Sequence, residues 1–406
     1  MSASKQISLI YSDRTTYLDT MEQLIIELSK IRDVKIRRNI LKTRGIKEPE
    51  LSSILDQVHF INKGKEKFPR AALMKFDRDG LAQASSKTLV EYRTLKMRQQ
   101  LGKVNLALDV GSGIGGDTIF MALRWKVISV DIDPKKMEML HHNVNVYNVT
   151  KNVETIQGDI FELLKDQTFR EKIGKVDLIF FAPSRRKGWK RTTKFDRYIP
   201  PLSLVDQLLE ICPNLCVEIA PAADLSQVKY DCDIEIISNK GEVKEAVLWF
   251  GALKLKPDER SLIATKLPER ITLVKKETPQ IDISQPERYL YEPDPAFVKA
   301  QLVNNLAVEY DLKLVHPQIA YLTGEKLVET PLLKAYRVHS ITNIDYPEIN
   351  NELSRLDLGR VDSKSRGVKI DHIDIRKRVR GRGRRTGVVI YTQVNYKPKA
   401  IIATYV

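Results

Sequence analysis

Glycines at 111, 113 and 115 follow the apolar run Leu106-Ala-Leu-Asp-Val110, and acidic residues stand where two further expected strands end, at Asp131 and Asp159. Glycine lets a backbone pass close to a ligand where a Cβ would collide. A helix beginning near Asp117 aims unpaired N–H groups and a positive dipole end at whatever sits over that turn. Strand-end carboxylates suit ribose hydroxyls and an adenine amino group. Together these residues predict a site for an adenosine-bearing cofactor.

The glycines alone fit two chemistries. Gly111, Gly113 and Gly116 also satisfy the dinucleotide fingerprint, with Asp131 near the spacing of its ribose-binding acid. Three features favour S-adenosyl-L-methionine instead. Asp109, two residues before the first glycine, would repel a pyrophosphate but accept a hydrogen bond from the ammonium of a methionine. Gly158-Asp159 closes a third strand, Val153 to Gln157, where the carboxylate takes the adenine amino group or caps the next helix. Finally, Asp233 to Ser238, the turn Asn239-Lys-Gly241 and Val243 to Phe250 read as a hairpin that a parallel dinucleotide sheet does not need. Asp133 precedes Pro134 at a helix start and reads as its cap. That leaves Asp131 and Ile132 for the ribose, with Ile160 beside Asp159.

Residues Leu106 to Phe250 resemble a class I S-adenosylmethionine-dependent methyltransferase. Asp109-Val-Gly-Ser-Gly-Ile-Gly115, Val130-Asp-Ile-Asp-Pro134 and Gly158-Asp159 match its first three motifs, and Phe180-Phe-Ala-Pro-Ser184 falls at the fourth. Gly80-Leu-Ala-Gln-Ala84, Pro183-Ser-Arg-Arg186, Gly241 to Phe250 and Ser365-Arg-Gly-Val368 are similar to methyltransferases carrying a THUMP-like C-terminal domain. That likeness runs from about residue 70 onward. The glycine loop and Val127 to Asn143 also resemble trimethylguanosine synthase, which methylates an exocyclic guanine amine. The resemblance implies an RNA substrate, with tRNA favoured, and implies that Gln83 and Arg93 line the cofactor pocket. It also exposes departures. Ala182 stands where such enzymes carry Asp or Asn, Glu218 where the pattern leads to Lys, and Ala222 where it leads to Gly.

The net charge of +15 is concentrated. Arg185 to Arg197 carries seven Lys/Arg against one Asp, and Lys364 to Arg385 carries ten against two. These segments account for +14 of the total, the footprint expected for a polyanion such as RNA. The first starts where a fourth strand, Val176 to Phe181, delivers Pro183, Ser184 and Arg185, the candidate catalytic residues, to the edge where α/β sheets bind ligands. Arg186, Lys187, Lys190 and Arg191 are expected to hold phosphates, with Trp189 as a stacking platform alongside Phe195 and Tyr198. In the second segment the expected RNA contacts are Arg376, Lys377, Arg378, Arg380, Arg382, Arg384 and Arg385. Gly381 and Gly383 suggest a flexible basic loop there.

The remaining observations bound the class. Three cysteines make neither a disulfide framework nor a zinc quartet, and no metal-ligand spacing occurs, so no metal is expected. No apolar run is long enough to span a bilayer and no leader is evident, so no membrane partner and a cytoplasmic location are expected. The fold class expected is α/β. It comprises a helical N-terminal region (1–101) and a methyltransferase sheet with an antiparallel last strand (102–255). A connector with a ferredoxin-like segment (256–328) and an α+β THUMP-like RNA-binding domain (329–406) follow. Helices are expected at 17–31, 46–61, 89–101, 115–124, 134–147, 160–172, 201–211, 223–229, 295–310 and 347–356. Strands are expected at 104–110, 126–131, 153–157, 175–181, 214–220, 271–274, 334–340, 387–391 and 399–405, with the hairpin at 233–250. A non-catalytic RNA-binding protein and a small-molecule methyltransferase are the competing readings; the second leaves the basic clusters unexplained.

Overall fold

The computed structural model describes residues 14–187 and 190–406, so Trp189 lies outside the described residues. Residues divide into two compact units, 1–232 with 247–259, and 233–246 with 260–406.

The first unit opens with helices α1 (Arg14–Lys30), α2 (Val34–Thr43) and α3 (Glu50–Gly64). Leu24, Leu28, Leu41, Leu51, Ile54 and Val58 form their shared core. The sequence reading missed α2, whose Lys- and Arg-rich run buries only Arg37 and Leu41. Its start is fixed locally, by Asp33 accepting a hydrogen bond from the Lys35 amide at 2.7 Å. Two more helices follow, α4 (Arg78–Gln83) and α5 (Lys87–Leu101).

Alternation of strands and helices then begins: β1 (Leu106–Val110), α6 (Gly116–Ala122), β2 (Lys126–Asp131), α7 (Pro134–Val146) and β3 (Val153–Gln157). After α8 (Ile160–Leu163), α9 (Gln167–Ile173) and β4 (Leu178–Phe181) comes a short antiparallel pair, β5 (Arg186–Lys187) and β6 (Lys190–Arg191). The helix α10 (Leu204–Ile211) and strand β7 (Leu215–Ile219) complete the series. The strand order β7-β4-β1-β2-β3 is parallel throughout. Because the chain runs outward from β1 to β3 and then crosses back to β4, the direction of winding reverses between β1 and β4. Ligands in such sheets bind over the carboxyl ends of the strands at that reversal. The helix expected over 160–172 is two, since Asp166 caps a fresh start by accepting from the Phe169 amide at 2.9 Å. The helix expected at 223–229 is a single 3-10 turn, Leu225–Gln227.

In the second unit, β8 (Asp233–Asn239) turns through Lys240 (φ 54) and Gly241 (φ 76) into β9 (Glu242–Trp249). Two positive φ values in a two-residue loop are the tight hairpin that the sequence reading expected. The last residues of β9, Val247–Trp249, belong to the first unit, where the Phe250 amide then donates to the Leu215 carbonyl at 3.0 Å. Strand β10 (Leu262–Leu267) pairs parallel to β8, and β11 (Ile271–Val274) pairs antiparallel to β10. The sequence reading took β10 for connector because lysines and prolines flank it. Its Thr265 is nonetheless buried and donates to the buried Glu235 carboxylate at 2.5 Å.

A second sheet follows. It is built from β12 (Tyr289–Pro293), β13 (Lys313–His316), β14 (Ile319–Gly324), β15 (Leu333–Thr342), β16 (Leu358–Ser365), β17 (Arg385–Val394) and β18 (Lys397–Tyr405). Its order is β13-β14-β12-β15-β18-β17-β16, so strands from 289–324 and from 333–405 share one sheet. Between them lie α11 (Pro295–Lys299), α12 (Val303–Glu309), α13 (Tyr346–Arg355) and α14 (His372–Arg378). The helix expected over 295–310 is split at Gln301, whose φ is 56. From α13 and α14, Ile349, Leu353 and Ile375 pack on Val389, Tyr391, Ala400 and Ile402 of the sheet. The basic segment is therefore no loose loop: it contains the end of β16 and all of α14. Its glycines serve close backbone approach: a Cβ on Gly381 would lie 2.0 Å from the Leu358 carbonyl oxygen, and one on Gly359, before the segment, 1.7 Å from the Gly383 carbonyl oxygen.

Replacing Gly359 by Ala should therefore destabilise the second unit by roughly 1–3 kcal/mol, the scale of forced overpacking. Urea unfolding followed by circular dichroism measures this. An unchanged midpoint would mean the two backbones do not approach so closely.

Candidate cofactor and acceptor site

The strand ends at the reversal enclose a cavity of about 410 Å3. Gly111 (φ +78) makes the turn after β1, and a Cβ there would lie 3.0 Å from the Ala182 carbonyl oxygen. Only a glycine lets the two strand ends close to this distance without strain. Asp131 fastens the turn from the side: its Oδ2 accepts from the Gly113 amide at 2.8 Å and its Oδ1 from the Asp133 amide at 2.9 Å. Gly111, Gly113, Asp131, Ile132, Asp159 and Ile160 all line the cavity. Asp159 also caps α8, accepting from the Phe161 amide at 2.9 Å. Gly115 (φ +88) starts α6 and is not in the cavity wall.

Asp109 sits behind that wall. It is 1% exposed, and its Oδ2 accepts from the Thr118 hydroxyl at 2.5 Å, with Ser129 a further 3.0 Å from Thr118. Its Oδ1 has no hydrogen-bond partner. Burial, and then the negative charge of Asp117, push the Asp109 carboxyl up to about 8.

Beside it lies a buried charge network centred on Arg93, which the resemblance placed in the pocket lining without joining it to Asp117, Ser85 or Glu218. Arg93, fully buried, donates from Nη2 to Asp117 Oδ1 at 2.5 Å and lies 3.5 Å from Glu218 Oε2. Its guanidinium stacks on the Phe180 ring at 5.1 Å. Glu218 Oε2 also accepts from the Ser85 hydroxyl at 2.9 Å, while Oε1 faces Arg185 Nη2 at 3.6 Å. Burial raises the Asp117 carboxyl and Arg93 opposes that rise. Gln83, Ser85, Asp117, Arg185 and Glu218 line the cavity, whereas Arg93 holds them from behind. The departure at Glu218 and the resemblance at Gln83 and Arg93 were the sequence signals pointing here.

Leaving β4, Pro183, Ser184 and Arg185 form the opposite wall. The Ser184 amide donates to the Ile199 carbonyl at 2.8 Å and the Ile199 amide returns the bond at 2.9 Å. That exchange fixes the loop from which β5 and β6 emerge. Arg186, Lys187, Lys190 and Arg191 lie on this pair, with Arg186 opposite Arg191 and Lys187 opposite Lys190. Tyr198, grouped by the sequence reading with the stacking residues, is instead buried, its hydroxyl accepting from the Ala220 amide at 3.2 Å.

In the second unit Arg376, Lys377, Arg378, Arg380, Arg382, Arg384 and Arg385 are all exposed. Arg378 pairs with Asp374 at 2.7 Å, and Arg380 Nε donates to the Lys377 carbonyl at 2.9 Å. Lys364 and Arg366 are turned inward to Glu292, at 2.5 and 3.5 Å. Among the described residues no group of three His, Cys, Asp or Glu side chains converges as a metal site, and no helix is long and apolar enough to cross a membrane.

Residues 104–253 match the family model for RNA cap guanine-N2 methyltransferases, and residues 333–404 match that for THUMP-like domains. An uncharacterized S-adenosylmethionine-dependent methyltransferase of Mycobacterium tuberculosis is 27% identical over 336 residues, 82% of this chain and 88% of its own. Trimethylguanosine synthase of Schizosaccharomyces pombe is 38% identical over 79 residues, 19% of this chain and 32% of its own. A crystal structure described as a methyltransferase from Porphyromonas gingivalis W83 superimposes with a TM-score of 0.73 at 19% identity, covering 89% of this chain and 92% of that one. The site fits the cofactor these relatives name. Each Asp131 oxygen accepts one hydrogen bond and keeps a lone pair for a ribose hydroxyl. The fold is that of a class I methyltransferase. Residues 104–253 form a domain similar to S-adenosylmethionine-dependent methyltransferases and residues 333–404 one similar to THUMP-like domains.

Because the folded pKa of Asp109 is raised, the folded state holds a proton that the unfolded chain releases near pH 4. Its contribution to stability is complete below that pH and is lost as pH rises towards about 8. Thermal unfolding of Asp109→Asn should therefore depend less on pH between 5 and 8 than that of the wild type. Parallel pH profiles would refute the assignment.

Proposed function

We propose that this chain methylates RNA, with tRNA or another structured RNA as substrate. The observation that carries this reading is the Lys- and Arg-bearing β5–β6 pair, which leaves directly from the cavity segment 182–185. The match of 104–253 to RNA cap guanine-N2 methyltransferases and the THUMP-like match support it. In this reading 1–101 is a helical N-terminal region and 102–255 the methyltransferase domain; the ferredoxin-like segment expected within 256–328 and the RNA-binding domain expected at 329–406 are parts of one unit that shares a sheet.

When bound, S-adenosylmethionine supplies an electrophilic methyl group. Asp131 and Ile132 hold the ribose end and Asp159 and Ile160 the adenine. The turn at Gly111 and Gly113 receives the methionine end, with Gly115 behind it at the start of α6. Asp109 supports that turn from behind through Thr118. Pro183, Ser184 and Arg185 line the acceptor side, where methyl transfer asks chiefly for in-line positioning. Arg186, Lys187, Lys190 and Arg191, with Arg376, Lys377, Arg378, Arg380, Arg382, Arg384 and Arg385, hold phosphates, and Trp189 offers a stacking surface for an unpaired base.

RNA affinity should then fall steeply with salt. Replacing Arg380, Arg382 and Arg384 together by Gln should reduce the slope of log K against log salt by about 3 on a duplex-like RNA, near 0.9 per lost phosphate contact. Filter binding between 50 and 200 mM salt reads this slope. Binding that ignores salt, or a slope untouched by the substitutions, would count against RNA on this surface.

A further inference from the structure

A third run of positive charge is hidden in the net total, because acids elsewhere in the chain cancel it. Lys30 to Lys47, which contains α2, carries eight Lys/Arg against one Asp. Neither family match reaches it. The fold decides which of these cations face outward. Leu41 is fully buried in the shared core of α1, α2 and α3, and Arg37 is turned in, its Nε donating to the Ile31 carbonyl at 2.7 Å. With that side of α2 committed to the bundle, Lys35, Arg38 and Lys42 fall on the other side, within about 60° of one another around the helix. All three are exposed, as are Lys30, Arg32, Arg44 and Lys47 around them. The nearby acids answer little of this charge. Asp33 accepts from the Lys35 amide at 2.7 Å, and the exposed Glu48 lies 3.5 Å from Arg38 while its other oxygen accepts from the Ser52 amide at 3.1 Å. Like charges three and four residues apart on a helix repel, and an anion laid over the stripe relieves that repulsion.

Resting on the RNA reading above, we propose that the outer face of α2 is a phosphate-binding surface that grips the RNA backbone on the same unit as the cofactor cavity. Contacts of this kind carry no base information; they fix the register and orientation of the bound strand. The bundle can transmit that register because it is fastened to α7. Arg70, beyond α3, donates from Nη1 to the Val146 carbonyl at 2.6 Å. Asn143 Oδ1 accepts from the Lys75 amide at 2.8 Å, and its Nδ2 donates to the Lys75 carbonyl at 3.1 Å. Helix α7 itself starts directly after Asp131, Ile132 and Asp133 of the cavity wall. A lipid surface fits α2 less well. An interfacial helix needs a continuous apolar face, and the apolar side of α2 is packed in the bundle. Its exposed apolar residues, Val34 and Ile36, flank the basic stripe on opposite sides, about 160° apart.

The test replaces Lys35, Arg38 and Lys42 together by Gln in the full chain, since Gln keeps helix propensity at exposed positions. Filter binding to a duplexed RNA hairpin between 50 and 200 mM salt is the readout. The slope of log K against log salt should become shallower by about 3, so the wild type should lose roughly 40-fold more affinity over that range than the variant. Affinity for S-adenosylhomocysteine, measured by calorimetry, should stay within twofold. The charge-keeping triple Lys35→Arg, Arg38→Lys, Lys42→Arg should retain the wild-type slope. An unchanged slope in the Gln variant, with steep salt dependence in the wild type, would overturn the proposal and leave the RNA reading standing. So would an equal loss in the charge-keeping triple, which would mark these residues as structural. Phosphatidylglycerol vesicles that capture the wild type but not the Gln variant, with the RNA slope unmoved, would reassign the surface to lipid. Wild-type RNA binding that ignores salt would defeat the RNA reading, and the proposal with it.

Discussion

The site depends on one buried cation. Arg93 is fully enclosed, stacked on Phe180, and placed between Asp117 at the start of α6 and Glu218 at the end of β7. Those carboxylates come from opposite sides of the central strand β1. Removing one partner of such a buried pair leaves an uncompensated charge and typically costs about 3–5 kcal/mol. The guanidinium thus ties the glycine-turn side of the cavity to its acceptor side. It also concentrates negative charge beneath a site whose ligand is expected to bring a cationic sulfonium and ammonium. Asp109 sits in the same field, which is part of why its carboxyl resists ionisation.

A second constraint is steric. The backbone of Gly111 lies against the carbonyl of Ala182, so the glycine turn and the segment after β4, the proposed cofactor and acceptor loops, are in contact. Methyl transfer gains most from fixing donor and nucleophile in line, and two loops in direct contact hold that distance without a separate hinge. The mutual Ser184–Ile199 backbone bonds extend the rigidity into the segment from which the basic β5–β6 pair emerges. In the second unit the same device recurs with different purpose. Gly359 and Gly383 bring backbones together so that Arg380, Arg382 and Arg384 project from a fixed loop.

Much of this was legible from residue types. The parallel strands β1, β2 and β4 followed from apolar runs that are buried along most of their length, and the glycine turn, Asp131 and Asp159 from the glycines and acids at the strand ends. The β8–β9 hairpin was legible because Lys240-Gly241 demands positive φ. Where the reading failed, long-range contacts had overridden local signals. Strand β10 is marked by buried polar pairing through Thr265 rather than by flanking turn residues. The basic segment looked loose because glycine in sequence does not distinguish freedom from close approach. Arg93 and Ser85 could not be joined to Glu218 by any spacing, since more than 120 residues separate them. Asp109 was expected to accept from a methionine ammonium, but a strand-end position does not reveal which way a carboxylate turns, and this one accepts from Thr118 behind the cavity wall.

The account's central claim is methyl transfer from S-adenosylmethionine to RNA. Incubating the protein with the methyl-labelled cofactor and unmodified total RNA, then treating the product with nuclease, tests it most directly. The account predicts label that is retained in RNA and lost on nuclease digestion. Unlabelled RNA, alongside calorimetry showing that the cofactor binds, would contradict it and leave the chain a cofactor-binding protein whose acceptor is something other than RNA.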